Sequence, residues 1–447
     1  MGDIQDEKSV DGITRLTVAR FKSIRHEQSI EIRPLTILAG ANSSGKSSIM
    51  QPLLLLKQTL EAPYDPGALL LNGPNVQFTW VKQLLSRVAD EEPVDGFHVG
   101  VEVGAKMALT TYFARGMKKG LEVIQTTYAS NAESGNLYRE MSQEEMHMLL
   151  KRHLKNLGDI PDDELAKVIR NLIEHTEHQM VLKRNRCFLT LTAQSQEATL
   201  FGMPFYSDLV KRYINRIIHL PGLRGNPERT YPITAVGSAF PGTFEKYVAS
   251  IIGQWQAEND EAKLIPINRD LTRLGLASGV RAMPINDTQV ELLVKLLPQH
   301  KMEDMVSIAD VGLGVSQTLP VIVALHAAEP GQLIYLEQPE LHLHPRAQSA
   351  MAEVLTDAAL QGNRLVVETH SSLLLLGIQT LVAEGKLPPE IVKLHWFKLR
   401  DDGSTQIVSA DLDKAGAFGD WPEDFAQVVM DSENRYLDAA EAKLRGN

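Results

Sequence analysis

Residues 35–60 read LTILAGANSSGKSSIMQPLLLLKQTL, and the organisation of the chain follows from this stretch. Leu35–Ala39 is a short continuous apolar run, as expected for a strand buried on both faces. It leads directly into Gly40-Ala41-Asn42-Ser43-Ser44-Gly45-Lys46-Ser47, which satisfies G-x-x-x-x-G-K-[ST] without a gap. Helix formers follow from about Lys46 to Leu60, with Pro52 within the first two turns. The glycines let backbone N–H groups turn inward around phosphate oxygens. Lys46 brings charge to the β- and γ-phosphates, the Ser47 hydroxyl is a ligand for Mg²⁺, and the helix N-terminus adds its positive end. Ser48 completes the candidate phosphate-binding set. A random chain of this length would match the pattern only about one or two times in a hundred. The buried strand before it and the helix after it make chance a poorer explanation still, so the loop is read as a nucleotide-binding site.

The chain has 447 residues, enough for two or three structural units or one core with a large insertion. Apolar residues make up 43% and charged residues 23%, which excludes disordered, collagen-like and rod-like classes. The net charge is −11, so the chain is no general sponge for a phosphate backbone. The single cysteine, Cys187, forms neither an intramolecular disulfide nor a cysteine-rich zinc site. The acidic start, MGDIQDEKSVDG, is unlike a secretory signal. The apolar stretches around Leu53–Leu56, Thr318–Ala328 and Leu373–Leu376 fall short of the ~18–20 residues that span a bilayer. The expectation is a cytoplasmic protein with no membrane partner.

Outward from the loop, residues 12–20 alternate like a half-buried strand, and Ile30–Ile32 is a candidate partner. FHVGVEV, ALTTYFAR and LEVIQTTYAS, between Phe97 and Ser130, read as antiparallel β. Met146, Leu149, Leu150, Leu154 and Leu157 space as one helix. Leu165, Val168, Ile169, Leu172 and Ile173 space as a second, with Pro161 and three acids at its start. Cys187–Ala193 returns to β, so the two helices read as an insertion into a β layer. Residues 215–285 are broken by Pro and Gly, and only a helix over Thr243–Ala257 stands out. A turn at 310–314 opens an apolar helix to Ala328. Strands over 332–336 and 364–368 flank a helix over 345–360. Further strands are expected over 391–399 and 406–409, and a helical tail from Pro422. This divides the chain into an N-terminal lobe with the loop and β layer (1–135), a helical insertion (136–186), a β return and connecting region (187–300), a C-terminal lobe (301–400) and an extension (401–447).

A nucleotide site of this kind needs an acid at the end of a second buried strand to hold Mg²⁺. Leu333–Leu336 ends in Glu337, where Asp is more usual. Gln338 follows, where many such ATPases carry a catalytic Glu, and an amide orients water but takes no proton from it. Glu340 is the nearest carboxylate to serve as base. His370, after the strand in VVETHSS, is placed to bond a γ-phosphate or orient water. His342 and His344, with His370, also satisfy a metal-hydrolase spacing, against the plainer reading of residues stiffening the turn before Pro345. Asp310–Gln317, DVGLGVSQ, is a helix N-terminus with small residues, open to a phosphate from outside.

The order of these features resembles the ABC/SMC-type ATPase superfamily. More narrowly, ILAGANSSGKSSIMQPLLLLKQ, DVGLGVSQTLPVIVAL, YLEQPELHLHP and VVETHSSLLLL resemble bacterial AAA-family ATPases related to the OLD (overcoming lysogenization defect) nucleases. HLPGLRGNPERTY and GDWPEDF resemble a subgroup with a short C-terminal extension. The resemblance implies an α/β fold, an ABC-type P-loop NTPase head with an antiparallel β layer and an inserted helical subdomain. It also implies head-to-tail dimers around two ATP molecules, with Gly312, Gly314 and Ser316 acting on the partner's nucleotide. Phe21 and Lys22 would lie near adenine, and Gln77 or Gln83 would be the Q-loop residue. OLD-like relatives and the ATPase subunits of Septu and PARIS serve in antiphage defence, where the ATPase senses or gates a nuclease. The chain departs from OLD nucleases in that only residues 371–447 follow His370, with no acidic metal cluster, so a nuclease would be a separate subunit. It departs from SMC proteins in lacking long coiled coils. Lys183, Arg184, Arg186, Lys211, Arg212 and Arg216 are candidates for a DNA-facing patch, against a reading as scattered solvated charge. Competing readings are a non-hydrolysing switch, favoured by Gln338, a DNA-repair ATPase, a transporter ATPase with a separate membrane subunit, and the metallohydrolase.

Overall fold

The computed structural model describes residues 12–87, 92–104, 107–116, 120–131, 133–157, 179–194, 199–202, 205–297 and 305–419, with residues 434, 435 and 437. The expected second insertion helix lies outside the described residues, as do most of GDWPEDF and the tail from Pro422 apart from those last three residues, which are helical.

The elements in chain order are β1 (Ile13–Ala19), β2 (Gln28–Glu31), β3 (Leu35–Gly40), α1 (Lys46–Glu61), β4 (Gly96–Val103), β5 (Met107–Arg115), β6 (Leu121–Ser130), β7 (Ser134–Tyr138) and α2 (Gln143–Leu157). Then come β8 (Gln179–Asn185), β9 (Phe188–Gln194), β10 (Thr199–Gly202), α3 (Phe205–Asn215), β11 (Ile218–Leu220), β12 (Tyr231–Pro232), α4 (Val248–Ala257), α5 (Glu261–Arg273), β13 (Gly279–Asn286), β14 (Gln289–Lys295) and β15 (Met305–Ser307). The chain closes with α6 (Leu313–Ala327), β16 (Leu333–Glu337), α7 (Pro345–Leu360), β17 (Arg364–Glu368), α8 (Ser372–Ala383), β18 (Val392–Leu399) and β19 (Thr405–Ala410).

The central sheet has the order β11-β16-β17-β3-β18-β19, parallel throughout except for antiparallel β19. Its strands read as unbroken apolar runs because both faces are covered. The period of two sorts the side chains between two cores. Leu35, Ile37, Ala39, Ile334, Leu336, Leu365 and Val367 face helices α4–α8. Leu38, Leu333, Tyr335 and Val366 face α1 and the β layer. That layer is the antiparallel sheet β2-β1-β4-β5-β6-β7. Two smaller sheets, β10-β9-β8 and β12-β14-β13 with β15 on β14, complete the described strands.

Four details differ from the sequence reading. The helix expected over Thr243–Ala257 begins as a 3₁₀ turn, Phe244–Tyr247, before α4. Helix α5, which contains Pro266, lies in the stretch 215–285 where only the helix over Thr243–Ala257 stands out in the sequence. Pro266 lies in its second turn, and the Asp260 side chain caps the start by accepting from Lys263 N at 3.2 Å. A short strand, β15, precedes the turn at 310–314, where none was expected. Three-residue β11 adds an edge to the central sheet, so the connecting region contributes to the same sheet as both lobes.

His395 on β18 provides a pH test of the fold. It is fully buried, with Nδ1 2.8 Å from Ser409 Oγ and Nε2 2.8 Å from the Glu31 carbonyl oxygen. Nε2 therefore donates to the carbonyl and Nδ1 accepts from the hydroxyl. Burial pushes the ring down to about 4, whereas in an unfolded chain it titrates near ~6.5. As pH falls the unfolded state takes up the proton first, so the stability contributed here is complete above ~6.5 and is lost on approach to 4. Thermal melts are expected to show wild type weakening between pH 7 and about 4.5, and His395→Gln flattening that part of the profile. An unchanged slope in the variant would remove His395 as its source.

Candidate nucleotide site

The phosphate loop sits at the carboxyl edge of the central sheet, between β3 and α1. Gly40 has φ +145°, and an added Cβ would stand 2.4 Å from the Phe397 carbonyl oxygen. Gly45 has φ +98°, and its Cβ would meet Thr405 Oγ1 at 2.2 Å. Both positions exclude side chains on torsion and on space. Thr405 braces the turn, its hydroxyl donating to the Ser44 carbonyl at 2.9 Å. Ala41, Asn42 and Ser43 at the tip are exposed, whereas Ser44 and Ser48 are buried. The buried Ser44 hydroxyl has no hydrogen-bond partner. Lys46 is folded back, its Nζ 3.0 Å from the Gly40 carbonyl and 2.8 Å from that of Ala41. Burial lowers its pKa and the nearby Glu368 opposes that shift.

Strand β17 lies between β3 and β16, so two carboxylates reach this edge. Glu337 and Glu368 are direct partners across the β16–β17 ladder. Ser47 Oγ is 3.0 Å from each oxygen of Glu368. The Tyr335 hydroxyl donates to Glu368 Oε2 at 2.9 Å. Burial and the charge of Glu337 raise the Glu368 carboxyl above its usual range. Glu337 is instead held by His219 Nε2 at 3.2 Å and by the Gly222 N–H at 3.2 Å. Burial raises its pKa, but these bonds outweigh it and the net shift is downward. His219 stacks on Tyr335 and is fixed from behind by Asn75 Oδ1, 3.0 Å from Nδ1.

A protein-family profile described as "AAA domain, putative AbiEii toxin, Type IV TA system" matches residues 35–97 and 171–376, more than half of the chain. The chain belongs to this AAA domain family. Its matched segments contain the loop, both carboxylates and the helix N-terminus at Gly312. Among curated proteins there is no match. Solved structures similar to the chain include an SMC head bound to the C-terminal winged-helix domain of ScpA, at 14% identity and TM-score 0.49, covering 90% of this chain and 99% of that one. The SMC head domain from Thermotoga maritima matches at 12% identity and TM-score 0.40, covering 89% and 98%. The Pyrococcus furiosus SMC head, bound to the C-terminal domain of ScpA, matches at 13% and 0.48, covering 91% and 98%.

Other residues of this AAA domain are placed as follows. Gln338 has φ +46°, and its N–H donates to the Glu368 carbonyl at 2.7 Å. Glu340 is buried; its Oε1 accepts from Thr369 Oγ1 at 2.6 Å and from the His370 N–H at 3.1 Å, while Oε2 has no partner. Burial raises its pKa. His370 is half-buried; burial and the nearby Lys46 lower its pKa, and the Gly40 backbone opposes that shift. Gly312 caps α6 and is exposed, Gly314 follows within the first turn, and the Ser316 hydroxyl donates to the Leu313 carbonyl at 3.2 Å.

Phe21 is fully buried, in edge contact with Phe97 and Phe78, so it has no free face for a base. It anchors the loop from which Lys22 projects to Gln51 Oε1 at 3.0 Å. Gln83 caps the backbone of Thr79 and Trp80, and Gln77 is exposed in a small bridge with Asn72. The residue of this segment that the structure links to Glu337 is Asn75, through His219. His344 caps α7 by accepting from Arg346 N, and His342 has φ +65°. Among the described residues no three His, Cys, Asp or Glu side chains form a metal-binding group, so the HLH metal site is not assembled. In the basic set, Arg184 pairs with Asp65, Arg186 binds the Thr59 and Tyr64 carbonyls, Lys211 pairs with Asp208 and Arg216 with Glu329. Lys183 and Arg212 are exposed. Among the described residues no helix is long and apolar enough to cross a membrane.

Four participants escaped the sequence reading: Glu368, Tyr335, His219 and Arg224. Arg224 is buried, donating from Nη1 to the Gln317 carbonyl at 3.0 Å and from Nη2 to the Glu337 carbonyl at 2.8 Å. The signal for the last two lies in HLPGLRGNPERTY, residues 219–231, which contains both.

Proposed function

We propose that this chain binds and hydrolyses ATP, dimerises head-to-tail around it, and thereby senses or gates a separate effector, a nuclease, in antiphage defence. The observation that carries the nucleotide part is the loop itself. Lys46, Ser47 and two carboxylates converge at one edge of the parallel sheet, where a polyphosphate meets a helix N-terminus. The hydroxyl and carboxylate oxygens form a hard donor set that fits Mg²⁺. Ser47 and Glu337 would hold the ion, which when bound supplies charge neutralisation at the phosphates. Lys46 exchanges its two loop carbonyls for phosphate oxygens. His370, kept neutral beside Lys46, is suited to donate a hydrogen bond at the same place. The exposed α6 N-terminus at Gly312 is the element offered to a second copy. The antiphage role and the nuclease partner come from the resemblance to OLD-related ATPases.

Glu340 is the proposed base. Its raised pKa and unpartnered Oε2 suit a proton acceptor. Turnover of Mg²⁺-ATP, with Lys46→Ala as the blank, tests both points. Glu340→Gln keeps an oxygen for Thr369 and His370, so ATP affinity is expected to stay within a few-fold. Turnover should drop by roughly a hundred-fold. Unchanged turnover would remove Glu340 as base. Sizing with and without Mg²⁺-ATP tests the dimer, which should form only with nucleotide.

One observation favours a second reading, a slow switch. Gln338 occupies the strand end beside Glu337, where an amide orients water without accepting its proton. ATP binding without turnover in wild type would select it.

A further inference from the structure

The acid that touches the phosphate-loop serine is not the one at the end of the YLE strand. Ser47 Oγ lies 3.0 Å from both oxygens of Glu368, a residue 6% exposed on the strand next to β3. Glu337 sits on the same rung one strand further out, committed to His219 and the Gly222 N–H. The Tyr335 hydroxyl fixes Glu368 from the protein side. Lys46, the cation of the loop, is engaged with two carbonyls. Two carboxylates, Glu368 buried and Glu337 partly buried, thus stand where a polyanion must dock.

Resting on the reading of the loop as an ATP site, we propose that Glu368 is a second acidic group of the cation site and makes nucleotide binding conditional on a divalent metal. Without the ion, Glu368 holds the Ser47 hydroxyl and its charge repels the incoming phosphates. With the ion, Ser47 is released to it and the same charge becomes attractive. Charges at such short range in a partly desolvated site interact strongly enough for one carboxylate to reverse the preference. Glu337 alone would give the usual single-acid site. Glu368 adds the penalty for metal-free ATP.

Equilibrium binding of ATP by calorimetry, in Mg²⁺ and in EDTA, tests this on the full chain. Glu368→Gln is expected to bind metal-free ATP about tenfold tighter than wild type and Mg²⁺-ATP about tenfold weaker. The gain conferred by Mg²⁺ then shrinks by about a hundred-fold. Glu337→Gln should weaken Mg²⁺-ATP without tightening metal-free ATP to that extent. A Glu368→Gln variant with the wild-type Mg²⁺ gain, or weakened equally in both conditions, overturns the proposal. Glu368→Asp keeps the charge and serves if the amide variant fails to fold; it should retain weak metal-free binding, and tightened metal-free binding would count against the idea. If wild type and Lys46→Ala alike fail to bind ATP in either condition, the ATP-site reading itself falls, and the proposal with it. Binding that depends on Lys46 but not on the charge of Glu368 overturns the proposal alone.

Discussion

Replacing Lys46 with alanine should weaken ATP binding by on the order of a hundred-fold or more and reduce hydrolysis to background. The ammonium lies 3.0 and 2.8 Å from the Gly40 and Ala41 carbonyl oxygens, at the start of the loop. Moved onto a phosphate, it faces opposite charge, and a close ion pair near a protein surface is worth about 4 kcal/mol at an effective dielectric near 20. The folded chain loses little in exchange, because Lys46 is buried at a desolvation cost that alanine does not carry. Calorimetry with Mg²⁺-ATP, beside a thermal melt, separates the two effects. Affinity within threefold of wild type would mean that the loop does not hold the phosphates through this residue.

Replacing Arg224 with methionine should destabilise the fold by about 3 kcal/mol or more. The guanidinium is 7% exposed and clamps the first turns of α6 to the end of β16, through the Gln317 and Glu337 carbonyls. Burial pulls it down to about 10, so it stays charged at neutral pH, facing Glu340, Glu245 and Glu337. Methionine fills most of the volume, but it donates to neither carbonyl and removes a buried positive charge near Glu340, Glu245 and Glu337. Lysine should rescue only part of the loss, since one ammonium cannot span both carbonyls in the plane the fork requires. Urea unfolding measures this. A methionine variant within 0.5 kcal/mol of wild type would show that the clamp is dispensable.

Much of the molecule is legible in the sequence because its signals are local. The apolar run of β3, the glycine spacing after it, and the strands ending in Glu337 and Glu368 each reflect a few neighbouring residues and their burial. Helix α7 spans the expected 345–360. The less legible parts lie in the stretch 215–285, where α5 does not stand out and where three residues form β11 only because a longer strand lies beside them. Phe21 shows the limit from the other side. The resemblance implies a place near adenine, whereas the ring is fully buried in edge contact with Phe78 and Phe97.

By itself the sequence determined the phosphate loop, its lysine and serine, the α/β class and the acid after the YL strand, since each depends on spacing within about ten residues. The tertiary structure alone decided which acid meets the serine. Ser47 and Glu368 are 321 positions apart and meet because β17 inserts between β3 and β16. Strand order in a parallel sheet is set by long-range pairing and crossover packing, and no local pattern encodes it. The same holds for His219 and Arg224, brought to Glu337 by a three-residue strand at the sheet edge.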